Sequence, residues 1–350
     1  MPPPVSLILP NRNNAPVLGL ALERLAANTT YPDVELIVID DGSDDGSLEI
    51  LRGFRDGGRF PGEMQLLERA HSGVAPSLNA GLGRARGELV VSLDGDATIE
   101  TPGWLERMVR LAGLDPAVGA VCAGVVLDTG RVHAYGVDVI GPEGLHDRPS
   151  LITEPVGART LHSNVRRPPP PRRPDLAEVD AAIGCCLLFP RAAAAELGGY
   201  DEGYAPVWFE DLDLTLGLRR LGLKVFCLPE VQVLHRQSLR NPREGAGRRR
   251  ERAGRALRRA VGGAVPQGVK DRVVAAAGLD RPSEAVVARL HGHYAHWRER
   301  WGFDPVNPDM DEVLRRWGDT ELCWAYDPAR LRAGAEIVAR YEAGAAAASR

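Results

Sequence analysis

The sequence predicts an α/β protein: a doubly wound, mostly parallel sheet with a helical C-terminal extension. Three observations carry this. Short apolar runs at residues 5–9, 34–39, 64–67 and 89–93 alternate with helical spacings over about the first hundred residues, the pattern of β-α units in a parallel sheet. The clearest of these runs, VSLIL, VELIVI and LVVSL, are nearly continuous in apolar residues, as strands buried on both faces are. Beyond residue 236 the chain turns arginine-rich and then helical.

Each element has a local reason. Asn13 and Asn14 before Pro16 mark a helix start, and Leu18, Leu22 and Leu25 follow at helical spacing. The second strand ends in Asp40-Asp41-Gly42-Ser43, and a helix over 48–54 follows. A weaker strand at 64–67 and a glycine-interrupted helix at 74–85 lead to the strand at 89–93. After Asp96 the sequence predicts a helix at 102–111, a strand at 117–127 and a more exposed, alternating strand at 131–140. RRPPPPRRP, residues 166–174, reads as a stiff, basic polyproline loop. A strand at 179–189 and a short helix at 191–197 precede an amphipathic helix at 211–221, with Leu214, Leu218 and Leu221 on one face. Two short strands, 224–228 and 231–234, end at His235. Residues 236–259 then carry ten arginines against two glutamates. A solvated helical face is the ordinary meaning of such a run, and attraction to an acidic membrane surface or a phosphorylated acceptor the sharper one. Helices at 284–301 and 331–348 close the chain.

Composition narrows the function classes. A formal net charge of -4 gives no reason to expect a nucleic-acid binder. Cys122, Cys185, Cys186, Cys227 and Cys323 have no metal-ligand spacing, and an odd, sparse set in apolar surroundings predicts reduced thiols and a cytoplasmic home. No basic n-region opens the chain, and no apolar run reaches membrane-spanning length, so membrane contact is expected to be peripheral at most.

The residues with chemistry cluster at strand ends, where open α/β sheets bind ligands. Asp94 and Asp96 lie two apart, so extended backbone would turn both to one face, and Gly95 lets a ligand approach. Two converging carboxylates bind a hard divalent cation that keeps waters and substrate phosphates as its other ligands. A solvated turn is the competing reading. Asp40-Asp41-Gly42-Ser43 suits a helix-capping turn. Glu210, Asp211 and Asp213 sit at a helix start, where acidic residues also serve as simple caps. Of His291, His293 and His296, only the last two share a helical face, which makes a structural metal there a minor reading. WRERWGF, residues 297–303, suits an anchor that packs the tail onto the rest.

Four segments, in order, resemble the inverting family 2 glycosyltransferases of GT-A fold: LPNRNN (9–14), VELIVIDDGSDDGS (34–47), HSGVAPSLNAGLGRARGELVVSLDGD (71–96) and GCCLLFPRAAAAELGGYDEGYAPVWFEDLDLTLGLRRLG (184–222). The likeness runs over about 5–238 and is greatest to bacterial members that add rhamnose, galactofuranose or similar sugars. It implies a GT-A catalytic domain over 1–240 and a helical extension over 241–350, basic at its start. The resemblance makes Asp41 the acceptor of a pyrimidine ring N–H, with Pro10 and Arg12 lining the base, which points to a UDP- or dTDP-sugar. It makes Asp96 the metal ligand, Asp94 a contact to ribose or to a metal-bound water, and His235 a third ligand, which favours Mn²⁺ over Mg²⁺. Asp211 becomes the general base, with Glu210 raising its basicity by like-charge repulsion. Trp208 becomes a stacking surface for a sugar or a core anchor. The implied partners are a nucleotide-diphosphate sugar and a glycan, lipid-linked or small-molecule acceptor, with no nucleic acid. Peripheral contact with the inner face of the membrane and a homo-oligomer are both compatible with the sequence. The chain beyond 241 is expected to serve acceptor, partner or membrane contact and to be dispensable for the nucleotide site. Leu78, where many relatives have arginine, and the Pro/Arg loop depart from the pattern. A sugar-1-phosphate nucleotidyltransferase would need an N-terminal glycine-rich phosphate loop, which residues 5–14 lack; a non-catalytic binding subunit is disfavoured by the intact Asp94, Asp96 and Asp211.

Overall fold

A computed structural model describes residues 2–128, 132–137, 139–140, 175–236, 284–305 and 309–348. The predicted polyproline loop and all of the arginine run except Arg236 lie outside these residues. The first half follows the expected alternation: β1 (Val5–Asn11), α1 (Ala15–Asn28), β2 (Val34–Asp41), α2 (Ser47–Asp56), β3 (Glu63–Arg69), α3 (Val74–Leu82) and β4 (Leu89–Leu93). Then come β5 (Ala97–Ile99), α4 (Trp104–Ala112), β6 (Val118–Leu127), β7 (Val132–Ala134), β8 (Ala177–Glu178), β9 (Cys186–Pro190), α5 (Arg191–Glu196), α6 (Glu210–Arg220) and β10 (Lys224–His235). The C-terminal part is helical: α7 (Glu284–Trp301), α8 (Met310–Trp317) and α9 (Pro328–Ala348).

The described strands form one sheet in the order β3-β2-β1-β4-β9-β6-β10-β5, with β7 on β6 and β8 on β10. Most paired residues lie in parallel ladders, β3–β2–β1–β4 and β6–β10. β9 runs antiparallel between β4 and β6 and joins the two parallel blocks. Side chains alternate through the sheet. Leu7, Leu9, Leu36 and Val38 enter the core that holds α1, α2 and α4. Ile8, Ile37 and Ile39 enter the core under α3. Gly81 of α3 lies so close to the sheet that a Cβ would collide with Ile8, so the helix can seat only without a side chain there.

The structure departs from the expectations where the backbone is used for something else. The strand expected over 179–189 is broken. Asp180 takes the N–H groups of Val139 and Ile140, each at 2.7 Å, and Gly184 N–H goes to Asp211 at 2.7 Å, so only 186–190 stay in the ladder. Of the strand expected over 131–140, the described residues form β7 and an isolated bridge at Val137. The two short strands at 224–234 are one strand, bulged between Leu228 and Gln232 around Pro229. β5 has only three residues, too few to show a periodicity in the sequence.

The C-terminal helices share the main core. Trp297 and Trp301 are fully buried, and Leu290, Val313, Leu322, Ile337 and Tyr341 belong to the same apolar cluster as Val5 and Leu7. Asp213 of α6 receives Trp301 Nε1–H at 2.8 Å and pairs with Arg300 at 2.6 Å. Trp324 Nε1–H reaches Asp180 at 2.8 Å. Behind it, buried Glu178 meets Arg219 at 3.0 Å and Lys224 at 3.4 Å, and Lys224 reaches Glu321 at 3.0 Å. These pairs offset charges that would otherwise be costly to bury. Trp301→Ala should therefore destabilise the chain by about 3–5 kcal/mol through the cavity and the lost bond to Asp213. Denaturant unfolding checks this, and a variant within about 0.5 kcal/mol of the parent would show that the tail is docked only loosely.

Candidate active site

A cavity of about 270 Å³ opens at the carboxyl ends of β1, β2 and β4 and is closed on the far side by α6 and α7. Its lining includes Pro10, Arg12, Asp41, Asp94, Trp208, Glu210, Asp211 and His235. Asp96 lies behind the lining, fully buried, 3.0 Å from His235 Nε2.

Asp94, Gly95 and Asp96 do not run extended. Ala97 N–H donates to Asp94 O at 3.1 Å, so the chain turns there, and the carboxylates converge through that turn rather than through strand alternation. Asp94 is about one-third exposed. Its Oδ2 lies 3.7 Å from His235 Nε2. One ligand atom from each of Asp94, Asp96 and His235 falls within 4.8 Å of the others. Two carboxylates and an imidazole in that space fit a divalent cation of the manganese or magnesium kind, with open positions toward the cavity.

The opposite wall is set by backbone in the left-handed region. Trp208 and Phe209, at φ 84° and 77°, turn the chain into α6. Side chains rarely adopt this conformation, and each such residue costs on the order of 1–3 kcal/mol, which surrounding packing must hold in place. Phe209 is clamped by Tyr204, Tyr294 and Trp297, and Arg289 lies over the Trp208 ring at 5.4 Å. The turn aims Glu210 and Asp211 at the cavity. Asp211 accepts Gly184 N–H at 2.7 Å and Leu212 N–H at 2.8 Å. Burial outweighs these bonds and raises its carboxyl to about 6. Burial, and then the Asp211 charge, pushes Glu210 well above the usual carboxylate range. The third acid of this cluster, Asp213, faces away and holds the tail.

At the carboxyl end of β2 the two aspartates divide their work. Asp40 caps the turn: it accepts Ser43 N–H at 2.9 Å, Ser43 Oγ–H at 2.6 Å and Asn11 Nδ2–H at 3.1 Å. Asp41 accepts Ser72 N–H at 2.7 Å and Gly73 N–H at 2.9 Å and lies 2.6 Å from His71 Nδ1. Burial would raise its carboxyl, but these bonds prevail and hold it below the ordinary range. A contact to a base would come in addition to them. Gly73, at φ 109°, has its absent Cβ 2.8 Å from Pro206 Cα, so loop 71–73 presses directly on the segment that leads into Trp208. Five participants escaped the sequence reading: His71 beside Asp41, His133 and Cys185 beside His235, and Leu290 and Tyr294, through which α7 lines the cavity. The tail was expected to serve acceptor, partner or membrane contact and to be dispensable for the nucleotide site; α7 lines the cavity through Leu290 and Tyr294. His293 and His296 form no metal group among the described residues; His296 pairs with Asp201 at 2.9 Å.

The sheet, with its carboxylate turn at the end of β4 and its acidic helix start across the cavity, has the GT-A glycosyltransferase architecture. The solved structure of GalNAc-T7 with UDP, GalNAc and Mn²⁺ shares the fold at a TM-score of 0.50 and 15% identity, over 67% of this chain and 44% of that one. Residues 6–197 match the family model described as glycosyl transferase family 2, and the chain belongs to that family. An uncharacterized protein of Sinorhizobium fredii is 30% identical over 254 residues, 71% of this chain and 26% of that protein. The chain thus spans only about a quarter of that relative. The N-acetylglucosaminyl-diphospho-decaprenol L-rhamnosyltransferase of Mycobacterium tuberculosis is 28% identical over 250 residues, 65% of this chain and 76% of that enzyme.

Asp41→Ala would leave Ser72 and Gly73 N–H without their acceptor. A loss of about 2–3 kcal/mol in unfolding free energy is expected. A loss below about 0.5 kcal/mol would show that loop 71–73 does not depend on Asp41.

Proposed function

We propose that this glycosyltransferase is a metal-dependent, inverting enzyme that moves a sugar from a UDP- or dTDP-sugar to an acceptor hydroxyl. The observation that carries the reading is convergence on one cavity. A cation-binding set, Asp94, Asp96 and His235, faces a raised carboxylate, Asp211, across a space that also reaches Asp41 and Arg12. Asp94, Asp96 and His235 would hold the cation, which would supply Lewis-acid stabilisation of the leaving diphosphate's charge. Pro10, Arg12 and the loop held by Asp41 form the nucleotide end, and Asp94 serves ribose as well as the cation.

Asp211 takes the proton of the acceptor hydroxyl while that oxygen bonds to the anomeric carbon and the carbon–phosphate-oxygen bond breaks on the opposite face, which inverts the centre. Glu210 lies beside it, its own carboxyl pushed well above the usual range by burial and then by the Asp211 charge. Trp208, half-buried at the cavity wall, offers its ring to a sugar face. The catalytic domain is read as residues 1–240. The extension over 241–350 contributes Leu290 and Tyr294 to the acceptor end. Coverage of most of the rhamnosyltransferase favours a glycan or lipid-linked acceptor. No helix among the described residues is long and apolar enough to cross a membrane. The reading is a cytoplasmic enzyme that meets such an acceptor at the membrane surface.

Three outcomes test this. Calorimetry of UDP and dTDP with Mn²⁺ should show tight, metal-dependent binding that Asp96→Ala loses; undiminished binding in the variant refutes the cation site. Asp211→Asn should slow transfer by about 10²–10⁴-fold with nucleotide-sugar binding nearly intact, and Glu210→Gln should slow it less. If donor affinity falls with Asp211→Asn instead, the base lies elsewhere. Because the Asp211 carboxyl is raised to about 6, its basic form is depleted below that pH and complete above it. Turnover should rise as pH increases through about 6, with an apparent value that belongs to the Glu210–Asp211 pair. A flat acid limb would exclude that pair from the proton transfer.

A further inference from the structure

His235 presents two nitrogens to two different sets of ligands. Nε2 lies 3.0 Å from Asp96 Oδ1 and 3.7 Å from Asp94 Oδ2. Nδ1 faces the other way, 3.7 Å from Cys185 Sγ. His133 sets its ring edge-on against the same imidazole, centroids 5.1 Å apart. One donor atom from each of His133, Cys185 and His235 lies within 4.8 Å of the others, and all three residues are buried in the cavity wall.

A sulfur and two imidazoles form a softer set than the carboxylate pair beside them. Such a set selects zinc, or cobalt as its spectroscopic substitute, over magnesium and manganese. Zinc takes nitrogen at about 2.0–2.1 Å and sulfur at about 2.3 Å, which in a tetrahedron puts neighbouring ligand atoms about 3.3–3.7 Å apart. The separation of Cys185 and His235 already meets this. A histidine bound to a metal through one nitrogen usually donates its other N–H to a carboxylate, and Asp96 stands where that partner is needed.

We propose that His133, Cys185 and His235 Nδ1 form a second, thiolate-containing site that binds zinc, and that zinc bound there inhibits the enzyme. Binding forms one Zn–S and two Zn–N bonds and releases the Cys185 thiol proton to water, with no change of oxidation state. The fourth position is left for water or for Asp94 Oδ2, which lies 2.9 Å from Cys185 Sγ. Exclusion works through one proton. Zinc on Nδ1 leaves the His235 proton on Nε2, donated to Asp96. A cation on Nε2 leaves it on Nδ1, facing Cys185. The inhibition, unlike the zinc site itself, rests on the reading that Asp94, Asp96 and His235 hold the catalytic cation.

The test uses the full chain with metals alone, before any activity is measured. Titration with Co²⁺ should give a thiolate-to-cobalt charge-transfer band at one equivalent, and Zn²⁺ should abolish it. Cys185→Ser and His133→Gln, confirmed as folded by their unfolding transitions, should each weaken zinc at least about tenfold. Absence of the thiolate band in the parent protein, or unchanged zinc affinity in Cys185→Ser, overturns the site. Spin resonance of Mn²⁺ then separates the two claims. Release of bound Mn²⁺ by one equivalent of zinc supports inhibition through His235, and Mn²⁺ that stays bound beside zinc overturns it. Zinc binding with the thiolate band in a protein that never takes up Mn²⁺ leaves this site standing and removes the metal dependence proposed above.

Discussion

Like charge held in a confined space is the constraint from which the rest of the molecule follows. Asp94, Asp96, Glu210 and Asp211 come from two distant parts of the chain and meet around one cavity, where low dielectric magnifies their repulsion. The fold opposes this with His235 against Asp96, with the positive end of α6 under Glu210 and Asp211, and with backbone N–H groups on Asp211. Burial first, and the neighbouring carboxylates after it, leave the carboxyls of Glu210 and Asp211 raised. The left-handed turn at Trp208 and Phe209 belongs to the same account, because it carries the chain into α6 with Glu210 and Asp211 lining the cavity opposite Asp94 and His235.

The tail answers a second demand of the same kind. α6 carries Asp213 as well as the two cavity-facing acids, and Asp213 is almost fully buried. Arg300 and Trp301 from α7 satisfy it, so the helix that opens the site is stabilised by a segment far along the chain. The same segment supplies Leu290 and Tyr294 to the cavity wall. Site and tail are therefore linked through opposite faces of one helix.

Much of this was legible in the sequence where the chemistry is local. VSLIL, VELIVI and LVVSL announce buried strands by themselves, and DDGS, DGD and the acidic start of α6 mark the ends that matter. The helix over 284–301 is written in the same way, and WRERWGF buries Trp297, Trp301 and Phe303 as an anchor. Long-range pairing was not legible. Nothing near His71 says that it will meet Asp41, and nothing near His133 or Cys185 says that they will meet His235. The turn at 94–97 hid behind a spacing that looked like strand alternation. The 179–189 run was too apolar to betray that residues 179–185 would leave the β9 ladder, with Gly184 N–H going to Asp211 instead.

β9 has a consequence for how the chain is made. Leu93 at the end of β4 pairs with Cys186, so one edge of the first parallel block waits for about ninety further residues of synthesis before it is covered. Until then an apolar strand with unpaired amides faces outward, able to recruit the same edge of another nascent chain. Folding yield should thus depend on this seam and on the β1–β4 pairing, which also waits about eighty residues, more than on β1–β2 and β2–β3, which pair sooner along the chain. An arrangement that lets one inverted strand tie together two halves of a catalytic sheet also sets the interval during synthesis when the protein is most exposed to aggregation.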